Sequence, residues 1–282
     1  RKVGLIYLEQ QRWDDAAAVF REMLELKPDL DAARYYLGTA YERESKWELA
    51  LEVFLGIESD SSFYDDAISH IGYIYLETER VEEAISALET RMASGRTRSQ
   101  VYNYLASLYM AQGQSDLALT TVANGLELYP ENTDLLYQKA LILERVGRHQ
   151  EASQTMKTLV SFDDKHAEAL NFLAYELAVK NKDLDEALQY AERAIALKPA
   201  PHIMDTLGWV YYRMGRLIEA LKIVEEASRQ LSEDAVVFEH LGEIHQSLRN
   251  LEQARIAFEK SLQLAPDNDK LREKLETLSD TL

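Results

Sequence analysis

The residues here that could carry chemistry are histidines and carboxylates, because the chain contains no cysteine. That absence removes thiol catalysis, a disulfide framework and thiolate metal sites. The six histidines are scattered. His240 and Glu243 share one helix face, with Glu239 beside them, and a metal ion there would need further ligands from other helices. The spacing by itself reads as exposed polar residues. Asp14 with Asp15, Asp65 with Asp66, and Asp163 with Asp164 fall at or near expected helix starts. Acids complement the helix dipole there, so the pairing does not call for acid–base catalysis. No phosphate-cradling glycine loop, nucleophile elbow or zinc-protease helix signature occurs. The reading is a non-enzyme with no cofactor and no metal.

What remains is recognition chemistry: tyrosines, tryptophans, side-chain amides and a few arginines. Their positions are set by a repeating element, clearest at 205–227, DTLGWVYYRMGRLIEALKIVEEA. It reads as two amphipathic helices joined by a tight turn. Leu207, Val210 and Tyr211 share a face of the first helix, and Ile218, Leu221 and Val224 a face of the second. Gly215 suits the left-handed conformation that ends a helix. Gly208 lies inside a helix, at a cost of ~1 kcal/mol relative to alanine. Something must therefore approach it closely, and Ala220, on the partner helix, is the expected contact.

Steps of 34 residues from Gly208 meet Gly4, Gly38, Gly72, Ala106, Ala140, Ala174 and Gly242. Steps from Ala220 meet Ala16, Ala50, Ala84, Ala118, Ala152 and Ala254, with Ala187 one place late in the sixth repeat. A fixed period of this length marks a repeat array. Three residues after the glycine column stand Tyr7, Tyr41, Tyr75, Tyr109, Leu143, Leu177, Tyr211 and His245, read as core. Pro28, Pro130 and Pro266 share a register, Pro199 stands one place late, and all four close their units. The joint at 59–62 and the one at 93–98 lack proline, and are expected to pack less tightly. The sixth turn, at 179–183, is one residue longer and the following joint one shorter.

The pattern resembles the tetratricopeptide repeat, through LGTAYERESKWELALEVF, LASLYMAQGQSDLALTTVANGLELYP and LGEIHQSLRNLEQARIAFEKSLQLAP as well as the segment above. The resemblance covers nearly the whole chain. It implies an all-α fold, a right-handed α-solenoid or superhelix of about eight helix-turn-helix repeats. The expected units are 1–30 (partial), 31–64, 65–98, 99–132, 133–166, 167–200, 201–234 and 235–268. Residues 269–282 form a capping helix, and 1–282 is a single array. Because residue 1 already lies inside a first helix, the chain is expected to be a fragment.

The resemblance also implies that first helices line an inner groove. The registers that would face it hold Tyr35, Tyr36, His70, Tyr73, Asn103, Tyr104, Tyr137, Gln138, Asn171, Phe172, Tyr175, Trp209, Tyr212 and Arg213. Thr39, Arg43, Ser69, Ser107, Leu141, Arg145, Asp205, Thr206, Glu239, His240 and Glu243 accompany them. Tyr, Trp and Arg tend to carry interface energy. Asn103 and Asn171 can each hydrogen-bond a peptide backbone. Trp13 and Trp47 share a second-helix register and read as scaffold, whereas Trp209 stands alone. The Lys, Asn and Arg set with which some family members grip a C-terminal carboxylate is replaced here by Tyr35, Tyr36, Thr39 and His70.

The expected function is thus a scaffold that binds a peptide or partner segment in the concave groove. The rivals are an accessory domain of a larger enzyme or of an envelope assembly, secretion or polysaccharide-export complex, self-association, and sugar binding on the tyrosines. With 49 acidic against 31 basic residues the net charge is −18, which disfavours nucleic acid and anionic membrane as partners. No apolar run approaches the ~20 residues of a membrane span, so no membrane insertion is expected. The wording of the repeats is similar to bacterial members, which implies bacterial cytoplasm or periplasm, with a lean to the cell envelope.

Overall fold

The computed structural model describes residues 2–93 and 98–279. These are helical throughout, with no strand among the described residues. The chain divides into two compact units, Arg1–Val146 and Gly147–Leu282. The non-prolyl joint expected at 93–98 falls largely outside the described residues.

In the first unit the helices are α1 (Lys2–Glu9), α2 (Trp13–Leu26), α3 (Asp31–Arg43), α4 (Trp47–Leu55), α5 (Tyr64–Glu77), α6 (Val81–Ala93), α7 (Ser99–Ala111), α8 (Ser115–Leu128) and α9 (Thr133–Arg145). Each packs on the next, and α5 also touches α7 as α7 touches α9. In the second unit α10 (His149–Phe162) leads to α11 (Ala167–Val179), α12 (Leu184–Leu197), α13 (Pro201–Arg213), α14 (Leu217–Gln230), α15 (Ala235–Ser247), α16 (Leu251–Leu264) and α17 (Asp269–Ser279). Again neighbours pack in order, and α13 touches both α11 and α15. The odd-numbered helices of each unit thus form a row.

Both small-residue columns are buried, including Ala187 at its shifted place. What approaches the glycines is not the alanine column. A Cβ on Gly4 would lie 2.6 Å from the ring of Phe20, on Gly38 2.7 Å from Phe54, and on Gly242 2.3 Å from Phe258. On Gly208 it would meet Val224 at 2.3 Å and Ile223 at 2.8 Å, with only the carbonyl oxygen of Ala220 near, at 3.5 Å. At these four glycines an apolar residue sixteen positions on drops into the space left, and burying such a side chain is worth ~1.5–3 kcal/mol. The alanines serve the same crossing by letting the second helix come close. Ile218, read as sharing a helix face with Leu221 and Val224, is 71% exposed. The buried stripe of α14 is Ala220, Val224 and Ala227, and Ile218 lies on the other side of it.

Each helix pair turns through one left-handed residue. Gly113, Gly147 and Gly215 do so at φ of 75°, 78° and 77°, and Gln11, Ser45, Glu79, Asn181 and Arg249 do so in the same register without being glycine. The longer sixth turn takes a second left-handed residue, Asp183, so α12 starts one residue late and α13 returns to register. The tyrosine column is core at Tyr41, Tyr75 and Tyr109, as are Leu143 and His245. Burial, with the Glu89 carboxylate beside it, pushes the Tyr109 phenol up to about 12. Arginines that open second helices lie over the column's rings: Arg12 over Tyr7 at 4.3 Å, Arg216 over Tyr211 at 4.2 Å.

The joint at 59–62 is not loose. Arg98 donates to the carbonyls of Ser59 and Ser61, and Arg91 to those of Leu55 and Ile57. Guanidinium donors satisfy these backbone carbonyls and tie the joint to the following repeat. Asp14, Asp15, Asp65 and Asp66 occupy first turns, whereas Asp163 closes α10. Leu271 and Leu278 of α17 are buried against Ala254 and Phe258, with Leu275 packed beside them.

Candidate functional site

In the first unit the row runs through α3, α5, α7 and α9. Tyr35 and His70, one repeat apart, are bonded to each other: Tyr35 Oη lies 3.2 Å from His70 Nε2. His70 Nδ1 lies 2.5 Å from Oε2 of Glu42, a buried carboxylate. The imidazole stacks on Phe54 at 4.9 Å, and Tyr35 stacks on Phe63 at 5.0 Å. Tyr36 lies against Phe20 at 5.4 Å. Burial is the first cause that raises the Tyr35 phenol, the field of Asp66 the second. These side chains knit neighbouring helices together, and their polar atoms are largely engaged within the fold. Tyr73 is 45% exposed and meets Trp47 edge-on at 6.4 Å.

Farther along the unit the row opens. Tyr104 leans into the space above Gly72, where an added Cβ would lie 2.0 Å from the ring. Together with Ile68, Ser69, Gln100, Asn103 and Ser107 it lines a cavity of about 140 Å³. Gln138 Nε2 donates to Ser107 Oγ at 3.0 Å. The Oδ1 of Asn103 is buried without a hydrogen-bond partner. Tyr137 is half-buried on α9.

In the second unit the row runs through α11, α13 and α15. His240, read from the sequence as exposed, is buried: its Nδ1 sits 2.9 Å from Oδ2 and 3.1 Å from Oδ1 of Asp205. Helix α13 delivers the carboxylate into the space between the two first helices, so the imidazole turns inward. Trp209 stacks on His240 at 4.1 Å and 15°, and on Tyr212 at 4.7 Å and 23°. Tyr175 is tilted toward His240 at 6.2 Å. Around them lies a cavity of about 410 Å³, lined also by Val179, Arg213, Val236, Glu239 and Glu243. Asn171 Oδ1 and Trp209 Nε1 are buried without a partner. Phe172 is half-buried in the same row. No group of three or more metal-ligating side chains occurs among the described residues.

Models described as "Tetratricopeptide repeat" match residues 3–67 and 105–165, 167–201, 202–229 and 235–268. The chain belongs to the tetratricopeptide repeat family. It is 28% identical over 222 residues to the TPR repeat-containing protein PA4667 of Pseudomonas aeruginosa, covering 76% of this chain and 36% of that protein. It is 20% identical to the BBSome complex member BBS4 of Bos taurus, over 86% of this chain and 43% of that one. Protein O-mannosyl-transferase TMTC1 of Homo sapiens is 25% identical over 64% of this chain, which spans 21% of it. The chain therefore spans less than half of each of these relatives. Among solved structures, the Cut9–Hcn1 hetero-tetramer of the APC/C aligns over 94% of this chain and 52% of that chain, with TM-score 0.68 and 15% identity. A tetratricopeptide repeat protein of Parabacteroides merdae aligns over 92% and 98%, with TM-score 0.58 and 17% identity. The shared property is the α-solenoid fold, whose repeats serve protein–protein interaction. No helix among the described residues is long and apolar enough to cross a membrane.

Glu42, Phe63, Val179 and Val236 belong to these clusters and were not selected from the sequence. Val179 occupies the register of Arg43, Arg145 and Arg213, so its place could have been read. Glu42 occupies the register of Tyr212, five repeats away, so its place too could have been read; Val236 carries no such mark.

Proposed function

We propose that the chain is a non-catalytic scaffold that binds extended partner segments along the row of first helices within each unit. The observation that carries this is a set of orphaned polar atoms. Asn103 Oδ1, Asn171 Oδ1 and Trp209 Nε1 are buried and unpaired, and all three belong to the registers expected to face a partner. A buried unpaired polar group costs ~1–3 kcal/mol, a cost that a ligand supplying the missing partner removes. An extended peptide brings a backbone N–H for each amide oxygen and a carbonyl for the indole. Tyrosine, tryptophan and arginine around these atoms supply contact area.

The test is a peptide-display selection on the protein, followed by affinity measurements on Asn103→Leu and Asn171→Leu. Each variant is expected to lose about tenfold or more in affinity for selected peptides, with thermal stability unchanged or raised, because an unsatisfied oxygen is gone. Equal affinity, or a loss of affinity that tracks a loss of stability, would contradict the reading.

A second reading is favoured by the fraction of its relatives that the chain spans, 36% of PA4667 and 21% of TMTC1: the array serves as the interaction segment of a longer polypeptide. The coding sequence flanking these residues decides it. The bacterial cell envelope as its compartment is a further part of this proposal, and cell fractionation tests it.

A further inference from the structure

The cavity at Trp209 has a chemistry more specific than peptide binding in general. Its apolar part is Val179 and Val236, each about half exposed at 49% and 47%, with Tyr175 at 37%, beside the rings of Trp209 and Tyr212. Two of the carboxylates at this cavity are paired with cationic or imidazole groups. The Lys274 ammonium donates to Glu243, which Tyr212 Oη also approaches at 3.4 Å. Asp205 is held by His240. Arg213 points its Nε to Asn181 Oδ1 at 3.3 Å, with its guanidinium carbon 5.7 Å from the centre of the Trp209 ring. Glu239 is the exception among the lining acids: the contact recorded for it is the neutral amide of Asn268, 3.1 Å from Oε2. The Tyr175 phenol is raised by burial first, then by the fields of Asp205, Glu239 and Asp234.

We infer that this cavity seats a basic side chain, arginine or lysine, of the partner segment. The inference rests on the groove reading above and names what the partner must carry. An acidic side chain would meet Glu239 and Glu243 and be repelled. A purely apolar one would strip water from Glu239 without replacing it. A cation on an aliphatic stem meets both demands: methylenes lie along Val179 and Val236, and the charge rests near the Tyr175 ring and the Glu239 carboxylate. The chain's net charge of −18 attracts a basic segment from a distance. Arg213 opposes the occupant, and so sets the sign of one variant.

The experiment follows the indole N–H resonances of the three tryptophans, with Trp209 assigned by Trp209→Phe, during titration with n-butylguanidinium, n-butylammonium, butyrate and n-butanol. The two cations are expected to shift the Trp209 resonance saturably and leave Trp13 and Trp47 in place. Butyrate should have no effect, and butanol a weaker one. Glu239→Gln should weaken cation binding about tenfold, and Arg213→Gln should strengthen it severalfold, with thermal midpoints recorded to confirm that both variants are folded. An equal response to butanol or butyrate, no shift with either cation, or binding indifferent to Glu239→Gln would overturn the inference. The two readings fail separately. Selected peptides that depend on Asn103 and Asn171 but show no basic residue leave the groove standing and remove the cation pocket. Cation binding at Trp209 without any effect of the asparagine variants does the reverse.

Discussion

Single residues in this chain are tuned by partners one repeat away. Asp205 and His240 lie thirty-five positions apart, as do Tyr35 and His70, because adjacent first helices place those registers side by side. Replacing Asp205 by alanine leaves the His240 Nδ1 without its acceptor in a buried place. The expected cost is ~1–3 kcal/mol, read as a lowered urea midpoint with an unchanged slope; an unchanged midpoint would mean that the pair contributes nothing. The sequence placed His240 in the right row and gave it the wrong environment. Helical periodicity says which face a residue occupies, but it cannot say that a carboxylate on the neighbouring helix will draw an imidazole inward. Tyr35 and His70 teach the same point: they stand in registers expected to face a partner, and much of their hydrogen-bonding capacity is spent on each other and on Glu42.

At the scale of the helix pair, Gly4, Gly38, Gly208 and Gly242 on first helices each meet a bulky apolar side chain sixteen residues later. Gly208→Ala drives a methyl group into Val224, and overpacking of this kind costs ~1–3 kcal/mol, more than the ~1 kcal/mol that alanine gains in helix propensity. Adding Val224→Ala should recover part of the loss, a coupling that a double-mutant cycle measures; strictly additive effects would contradict the packing rule. His245 replaces tyrosine in the buried column, and desolvation is the first cause that lowers its pKa below the ordinary value of 6.5. The folded state therefore resists a proton that the unfolded chain accepts. This part of the stability is complete above about pH 6.5 and declines as pH falls from there toward the lowered folded value. His245→Tyr should flatten the difference in stability between about pH 7.5 and 5.5, and an identical slope in both proteins would assign the acid sensitivity elsewhere. The glycine spacing was legible because a helical glycine is costly. The left-handed turns at Gln11, Ser45, Glu79 and Arg249 were not, because those residues accept a strain of ~1–2 kcal/mol that only the closed hairpin imposes.

For the whole molecule, the period of the small residues was enough to specify the all-α repeat fold, since a unit that cannot bury its own face must stack on the next. The face proposed to meet a partner was written in the sequence as a set of registers. Which of its members have polar atoms to spare was not, because that depends on hydrogen bonds between helices far apart in sequence. Asn103, Asn171 and Trp209 come out of that inventory unpaired, and they carry the account. The most direct measurement is a crystal structure of the protein with a selected peptide. The account predicts an extended main chain on the first helices, with a peptide N–H within ~3.2 Å of Asn103 Oδ1 or Asn171 Oδ1. A peptide seated on the second helices, with both amide oxygens still unpaired, would contradict it.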